Sequence, residues 1–117
     1  VSDVLFAGVP VAEFEAAVQW YSDVFGRPAD MVVHDREVMW RIAEAAWLYV
    51  LEQPAHAGHA IVSIAVPDLT ATTASLAGRG IEVARHEVVP GAGRKATFLD
   101  PEGNALTFIE VIAAAPS

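Results

Sequence analysis

One order of elements, strand, helix and three strands, occurs twice along the chain, in residues 1–53 and again in residues 59–112, and a duplication of this kind limits the fold before any single motif does. The first pass opens on Asp3 to Val11, a β-rich run that closes at Pro10, which has no N–H to give a central ladder. From Ala12 to Phe25 the apolar residues Phe14, Ala17, Val18, Tyr21, Val24 and Phe25 recur at helical spacing, and Gly26 with Pro28 stops the helix. Asp30 to Asp35, Glu37 to Ala43 and Ala46 to Glu52 then read as a three-strand meander. Pro54 and Gly58 mark a linker over residues 54–58. The second pass repeats the order: a strand over His59 to Val66, a helix over Leu69 to Arg79 capped by Asp68 and closed by Gly78 and Gly80, then strands over Ile81 to Glu87, Arg94 to Leu99 and Asn104 to Ile112. The strand-to-helix junctions also match, Val9-Pro10-Val11 against Ala65-Val66-Pro67-Asp68. The expectation is a single α+β domain over residues 1–117, with module one at 1–53 and module two at 59–112.

Composition narrows what such a domain does. The 117 residues carry a formal charge of −8 and are 54% hydrophobic but only 19% charged, which suits one packed core and not a disordered chain. An acidic surface does not follow phosphate backbones, so nucleic acid is not an expected partner; it mildly favours cationic ligands on encounter. No apolar run approaches the roughly 18–20 residues of a spanning helix, and the amino terminus lacks the basic-then-apolar layout of a leader. A cytoplasmic protein with no membrane partner is therefore expected. The absence of cysteine removes disulfides, thiolate ligands and cysteine nucleophiles together.

Two local motifs add to the duplication. Trp20-Tyr21, followed by Phe25-Gly26, is similar to the aromatic pair and Leu-Gly that end the first helix of the vicinal oxygen chelate superfamily, and Asp100-Pro101-Glu102-Gly103-Asn104 is similar to that family's Asp-Pro-Asp-Gly-Asn turn. The turn has its own physical logic, since Pro presets one dihedral, Gly supplies positive φ, and Asp and Asn bond local backbone. With both motifs and the repeat, nearly the whole chain resembles this family, which includes glyoxalase I, extradiol dioxygenases, fosfomycin-resistance proteins and bleomycin-resistance proteins. The resemblance implies two βαβββ modules forming a curved mixed sheet around a cavity, with helices on the convex face, and a homodimer. In catalytic members it also implies a divalent metal held by His, His and Glu.

Counted from the two motifs, the ligand positions that the resemblance implies fall on Phe6, Ile61 and Thr107. Two hydrocarbons cannot ligate, and a neutral hydroxyl is a poor ligand without stronger partners, so neither a metal nor another cofactor is expected. His59 shares a strand face with Ile61, whereas Glu110 should point away from Thr107. His56 and His59 read as solvated loop residues and His34 and His86 as isolated ones. Gly91-Ala92-Gly93-Arg94-Lys95 precedes a strand and lacks the Gly-Lys-Ser/Thr of a phosphate loop; it reads as a hairpin that brings Arg94 near the mouth of the cavity, where it meets a polar ligand group.

Strand parity then gives the cavity lining: Phe6 and Gly8, Ile61 and Ser63, and Thr107 and Ile109 face inward, while Leu5, Ala7, Val9, Val62, Ile64, Leu106 and Phe108 face the helices. Trp47 and Tyr49 are assigned to the cavity over Leu48 and Val50, because an aromatic with a polar atom suits a ligand site. Trp40, with Val38 and Ile42, fits either face and joins the candidate ligand set. These residues favour metal-independent binding of a small aromatic or cationic molecule in a cavity formed by the dimer, without catalysis, as in the drug-sequestering members that the chain resembles. The alternatives are an enzyme, with a metal relocated to His59 and carboxylates or with Tyr49, His34 or Glu52 as acid-base groups, and a dimerising scaffold whose pocket is filled by its own side chains.

Overall fold

The duplicated pattern resolves, in a computed structural model that describes residues 3–112, into eight strands and two helices. The ends of the expected domain, residues 1–2 and 113–117, lie outside the described residues. In chain order the elements are β1 (Leu5–Val11), α1 (Phe14–Phe25), β2 (Met31–His34), β3 (Glu37–Ala43), β4 (Ala46–Glu52), a 3-10 turn at Pro54–His56, β5 (Ile61–Ala65), α2 (Leu69–Gly78), β6 (Arg85–Val89), β7 (Gly93–Leu99) and β8 (Ala105–Val111). They form two four-stranded mixed sheets, β1-β4-β3-β2 and β5-β8-β7-β6, each with one parallel pair, β1 with β4 and β5 with β8. The fold is α+β, with two βαβββ modules. Among the described residues no helix is long and apolar enough to cross a membrane.

Two compact units divide the chain: one runs to Ala60 and takes in Asp100–Asn104, and the other comprises Ile61–Leu99 and the segment from Ala105 onward. In the first, one face of the sheet buries Val9, Val11, Val38, Trp40, Leu48 and Val50 against Phe14, Ala17, Tyr21 and Val24 of α1. Tyr21, Phe25 and Trp40 fill the interface as an aromatic cluster, with ring centroids 5.6 to 6.3 Å apart. The Trp40 indole N–H donates to the Arg27 carbonyl at 3.1 Å, so its one polar atom is satisfied inside the core.

The helix α1 starts at Phe14, two residues later than its periodicity suggests, and Glu13 at its N-cap makes no side-chain cap bond. Glu102 supplies the missing acceptor. Its two carboxylate oxygens take the Ala12 N–H at 2.7 and 3.0 Å, and Oε2 also takes the Glu13 N–H at 2.8 Å, where the positive end of the helix dipole favours a negative charge. Two residues earlier Asp100, only 4% exposed, accepts four hydrogen bonds. Oδ1 receives the N–H groups of Glu102 and Asn104 at 2.8 and 3.0 Å; Oδ2 receives the Tyr21 hydroxyl at 3.0 Å and the Asn104 amide at 2.8 Å. Asn104 extends the network to the Pro10 carbonyl and the Ala60 N–H. Burial, followed by the Asp100 charge, pushes the Tyr21 phenol pKa far above its ordinary value.

In the second unit α2 packs on β7 and β8, burying Leu69 and Leu76 with Leu106, Phe108, Ala96 and Phe98. Asp68 caps it as expected, accepting from the Ala71 N–H at 3.0 Å. The strand expected over Ile81 to Glu87 is displaced. Gly80 turns the chain at φ 81°, the Ile81 N–H bonds back to the Leu76 carbonyl, and Ile81 is buried; pairing therefore begins only at Arg85.

A buried acceptor that loses one donor leaves its remaining bonds short of full compensation for desolvation. Tyr21→Phe should lower unfolding stability by about 1–2 kcal/mol in urea titration, and Asp100→Ala, which orphans several donors at once, by roughly twice that or more.

Candidate functional site

Residues paired across neighbouring strands point to the same face, so register places each side chain. In the first unit Phe6 pairs with Trp47 and Trp47 with Arg41; Gly8 pairs with Tyr49, Tyr49 with Met39 and Met39 with Met31; Pro10 pairs with Leu51 and Leu51 with Glu37. These three rows occupy the face opposite α1, because the alternating residues Val9, Leu48, Val50, Val38 and Trp40 are the buried core. Phe6, Trp47 and Tyr49 thus share one open face, and Leu48 and Val50 face the helix as parity requires. Phe6 is 51% exposed there.

Glycine at position 8 is required by its neighbour. A Cβ on Gly8 would stand 2.5 Å from Tyr49 Cζ and 2.6 Å from Tyr49 Oη, so the phenol ring lies directly on the β1 backbone. The face carries charge at two corners. Arg41, in the Trp47 row, donates from Nη2 to the Glu44 carbonyl at 2.7 Å. Glu37, in the Leu51 row, lies 3.5 Å from His34 Nε2, whose ring is oriented by the Arg36 N–H donating to Nδ1. Met39, Arg41 and Glu37 are missing from the sequence-derived site, although Glu37 and Arg41 alternate with the apolar Val38, Trp40 and Ile42 and that alternation is the signal that could have found them; their register with β4 is a property of the fold.

In the second unit Ile61 pairs with Ala105, and Ser63 with Thr107, Thr107 with Thr97 and Thr97 with Arg85. Ile61 is 82% exposed on this face, whereas Thr97 and Thr107 are buried with their hydroxyl oxygens 3.0 Å apart. Glu87 meets Arg85 and Lys95 at 3.3 and 3.8 Å. The registers of the two sheets place Ser63 where the first unit has Gly8, Thr107 where it has Tyr49, and Ala105 where it has Trp47. An aromatic face in one repeat corresponds to a hydroxyl face in the other.

Two candidates are corrected. Arg94 pairs with Glu110 and lies on the α2 side, where its Nη2 donates to Thr70 Oγ1 at 2.9 Å and to Glu110 Oε1 at 3.1 Å; Lys95, not Arg94, shares the face of Thr97 and Thr107. The strand begins at Gly93, which sets the parity that a hairpin reading left open. Trp40 is fully buried against Tyr21 and Phe25 and belongs to the core.

The metal that the fold family implies does not fit these residues. Phe6 and Ile61 offer no donor atom, and the Thr107 hydroxyl is engaged with Thr97. His34, His56, His59 and His86 are exposed, and among the described residues no three His, Asp or Glu side chains gather where they could hold an ion. The formal charge is also unevenly held: three arginines face eleven acidic residues in the first unit, giving all of the −8, while four cations balance four acids in the second.

The sequence matches the family model of the glyoxalase/bleomycin resistance protein/dioxygenase superfamily over residues 4–108. A glyoxalase/bleomycin resistance protein from Catenulispora acidiphila DSM 44928 is 41% identical, with 94% of this chain and 99% of that one covered, at a TM-score of 0.90. An antibiotic-binding protein from Streptomyces sp. CB03234 is 26% identical over 95% of this chain and 97% of its own, at a TM-score of 0.74. A bleomycin resistance determinant encoded on the transposon Tn5 shares the fold at 16% identity, with 96% of this chain and 100% of that one covered and a TM-score of 0.78. No curated protein sequence matches the chain.

The Gly8 and Tyr49 contact predicts coupling between the two positions. Gly8→Ala should lose about 1–3 kcal/mol by forcing the ring away, and in the Tyr49→Ala background the same change should be close to neutral, as read by a double-mutant cycle in urea. Glu110 gives a pH signature. The Leu69 N–H, then the Arg94 guanidinium, hold its carboxyl below the usual carboxylate range. A depressed pKa contributes stability above the unfolded value and loses it as pH falls through the folded one. The stability gap between wild type and Glu110→Gln should therefore stay constant from neutrality down to about pH 4.3 and close below it.

Proposed function

The chain belongs to the glyoxalase/bleomycin resistance protein/dioxygenase superfamily, and on that premise we propose that it binds and sequesters a small planar, cationic aromatic molecule without a metal. The observation that carries this reading is the open face of the first unit, where Phe6, Trp47 and Tyr49 stand together with Met39 over the bare backbone of Gly8. Aromatic rings exposed side by side suit a flat ligand, because stacking removes two apolar surfaces from water at roughly 25 cal/mol per Å² before ordering terms. Their electron-rich faces also attract a cation within about 6 Å. The acidic balance of the same unit attracts that cation before contact, with Glu37 at one corner of the face. Donor chemistry supports metal independence, since the three positions where the family holds its ion carry two hydrocarbons and an engaged hydroxyl.

The name of one relative, an antibiotic-binding protein, lends support to sequestration in preference to turnover. In this reading the protein works in the cytoplasm, where a chain without cysteine loses nothing to reduction. A second copy of the chain closes the cavity, as a homodimer.

Chelator-treated protein titrated with acridine orange, and in parallel with neutral anthracene carbinol, tests the reading by tryptophan fluorescence. Saturable binding of the cation is expected, with Trp47→Ala and Tyr49→Ala each weakening it about tenfold or more, which is about 1.4 kcal/mol. Absence of saturable binding, or affinity unchanged in both variants, overturns the site; binding that appears only on adding Zn²⁺ or Mn²⁺ overturns metal independence.

A further inference from the structure

The helix side of the second unit holds a groove. Matching the two repeats through their registers and helix starts places Leu76 where the first has Tyr21 and Phe98 where it has Trp40, while α2 ends at Gly78, short of the position that Phe25 holds. Two rings of the cluster that seals α1 to its sheet thus give way to smaller side chains and the third has no helical counterpart, although Phe108, in the place of Val50, adds a ring beside Phe98. The helix does not refill the space, because the residues it turns toward β6 are Thr70, Thr73, Ala74 and Ala77. What results is a groove of about 450 Å³ with the edges of the buried Phe98 and Ile81 at its base and with Glu82, Val83 and His86 along its side, within the roughly 300–1,000 Å³ typical of small-ligand sites. Thr70, Thr73 and His86 continue into an adjoining recess of about 180 Å³ that Arg94 borders.

We infer that this groove is a second binding site, for a small hydrophobic carboxylic acid whose apolar body lies between Ala74, Ala77 and Val83 and whose carboxylate reaches Arg94. Arg94 spends only Nη2 on Thr70 and Glu110; among the described residues its Nη1 and Nε make no hydrogen bond, which leaves a planar donor edge of the kind that pairs with a carboxylate. Charge balance selects the same ligand class. Around the recess Arg94, Lys95 and His86 stand with Glu87, and Glu82 lines the groove. Cations and acids cancel in the second unit while the first carries the whole formal −8, so an anion meets less opposition here than at the aromatic face. The two sites therefore take ligands of opposite sign.

The probe is 3-phenylpropanoate, titrated into ¹⁵N-labelled protein and followed by amide chemical shifts, with 3-phenylpropanol and 3-phenylpropylamine as controls. All three tryptophans lie in the first unit, so this readout is independent of the fluorescence assay of the aromatic face and the two readings fail separately. Saturable shifts are expected along α2, from Ile81 to His86 and at Arg94. Ala77→Trp, at an exposed helix position, should abolish them by filling the groove. Arg94→Gln should weaken the acid about tenfold and leave the alcohol unchanged. Shifts that do not saturate, that persist in Ala77→Trp, or that are as strong for the alcohol or the amine as for the acid overturn the inference.

Discussion

Everything in the first unit is pinned by one buried carboxylate. Asp100 accepts from two backbone N–H groups of its own turn, from the Asn104 amide and from the Tyr21 hydroxyl, which leaves a charge taken out of water with its lone pairs used. Because the turn is rigid, Glu102 is delivered to the bare N-terminus of α1 and Asn104 to the Pro10 carbonyl. The position of α1 in turn fixes Tyr21, Phe25 and Trp40 and therefore which side of the sheet is sealed. The open face with Trp47 and Tyr49 is the remainder.

The two repeats use the same topology to different chemical ends. Where the first places large rings on both sides of its sheet, the second places threonines on the open side and keeps its rings, Phe98 and Phe108, on the helix side under Leu69 and Leu76. Backbone pairing is indifferent to these exchanges, since the ladders depend on N–H and C=O groups. Side-chain volume is not. One face becomes an aromatic platform, the other a buried hydroxyl pair, and the helix side of the second unit opens into a groove.

The fold was legible because it rests on local signals. Apolar spacing from Phe14 to Phe25, Gly26 in the left-handed region at φ 70°, Asp68 as a cap and the Asp100-Pro101-Glu102-Gly103-Asn104 turn all sit where the chain needs them. Alternation within a single strand separates Trp47 and Tyr49 from Leu48 and Val50, and the polar atoms of the two aromatics decide which pair is assigned to the open face. Arg94 and Trp40 were misplaced for different reasons. The polar atom of the Trp40 indole speaks for a ligand site, although Val38 and Ile42 share its face and Glu37 and Arg41 the other. At Arg94 two adjacent cations, Arg94 and Lys95, give no local signal of which one faces the helix until pairing with Glu110 sets it. The late start of β6 was hidden likewise, because Ile81 reads as a strand residue until α2 claims it for the core. Glu102, which the turn motif marks only as its variable position, caps a helix 89 positions away.

The contact between Gly8 and Tyr49 also orders the history open to this face. With a ring resting on the β1 backbone, a side chain at position 8 displaces that ring and costs stability as long as position 49 is large, whereas position 49 can shrink first without that cost. The same pair of substitutions thus carries a different penalty in each order, and a lineage with little stability to spare takes the step at position 49 before the step at position 8.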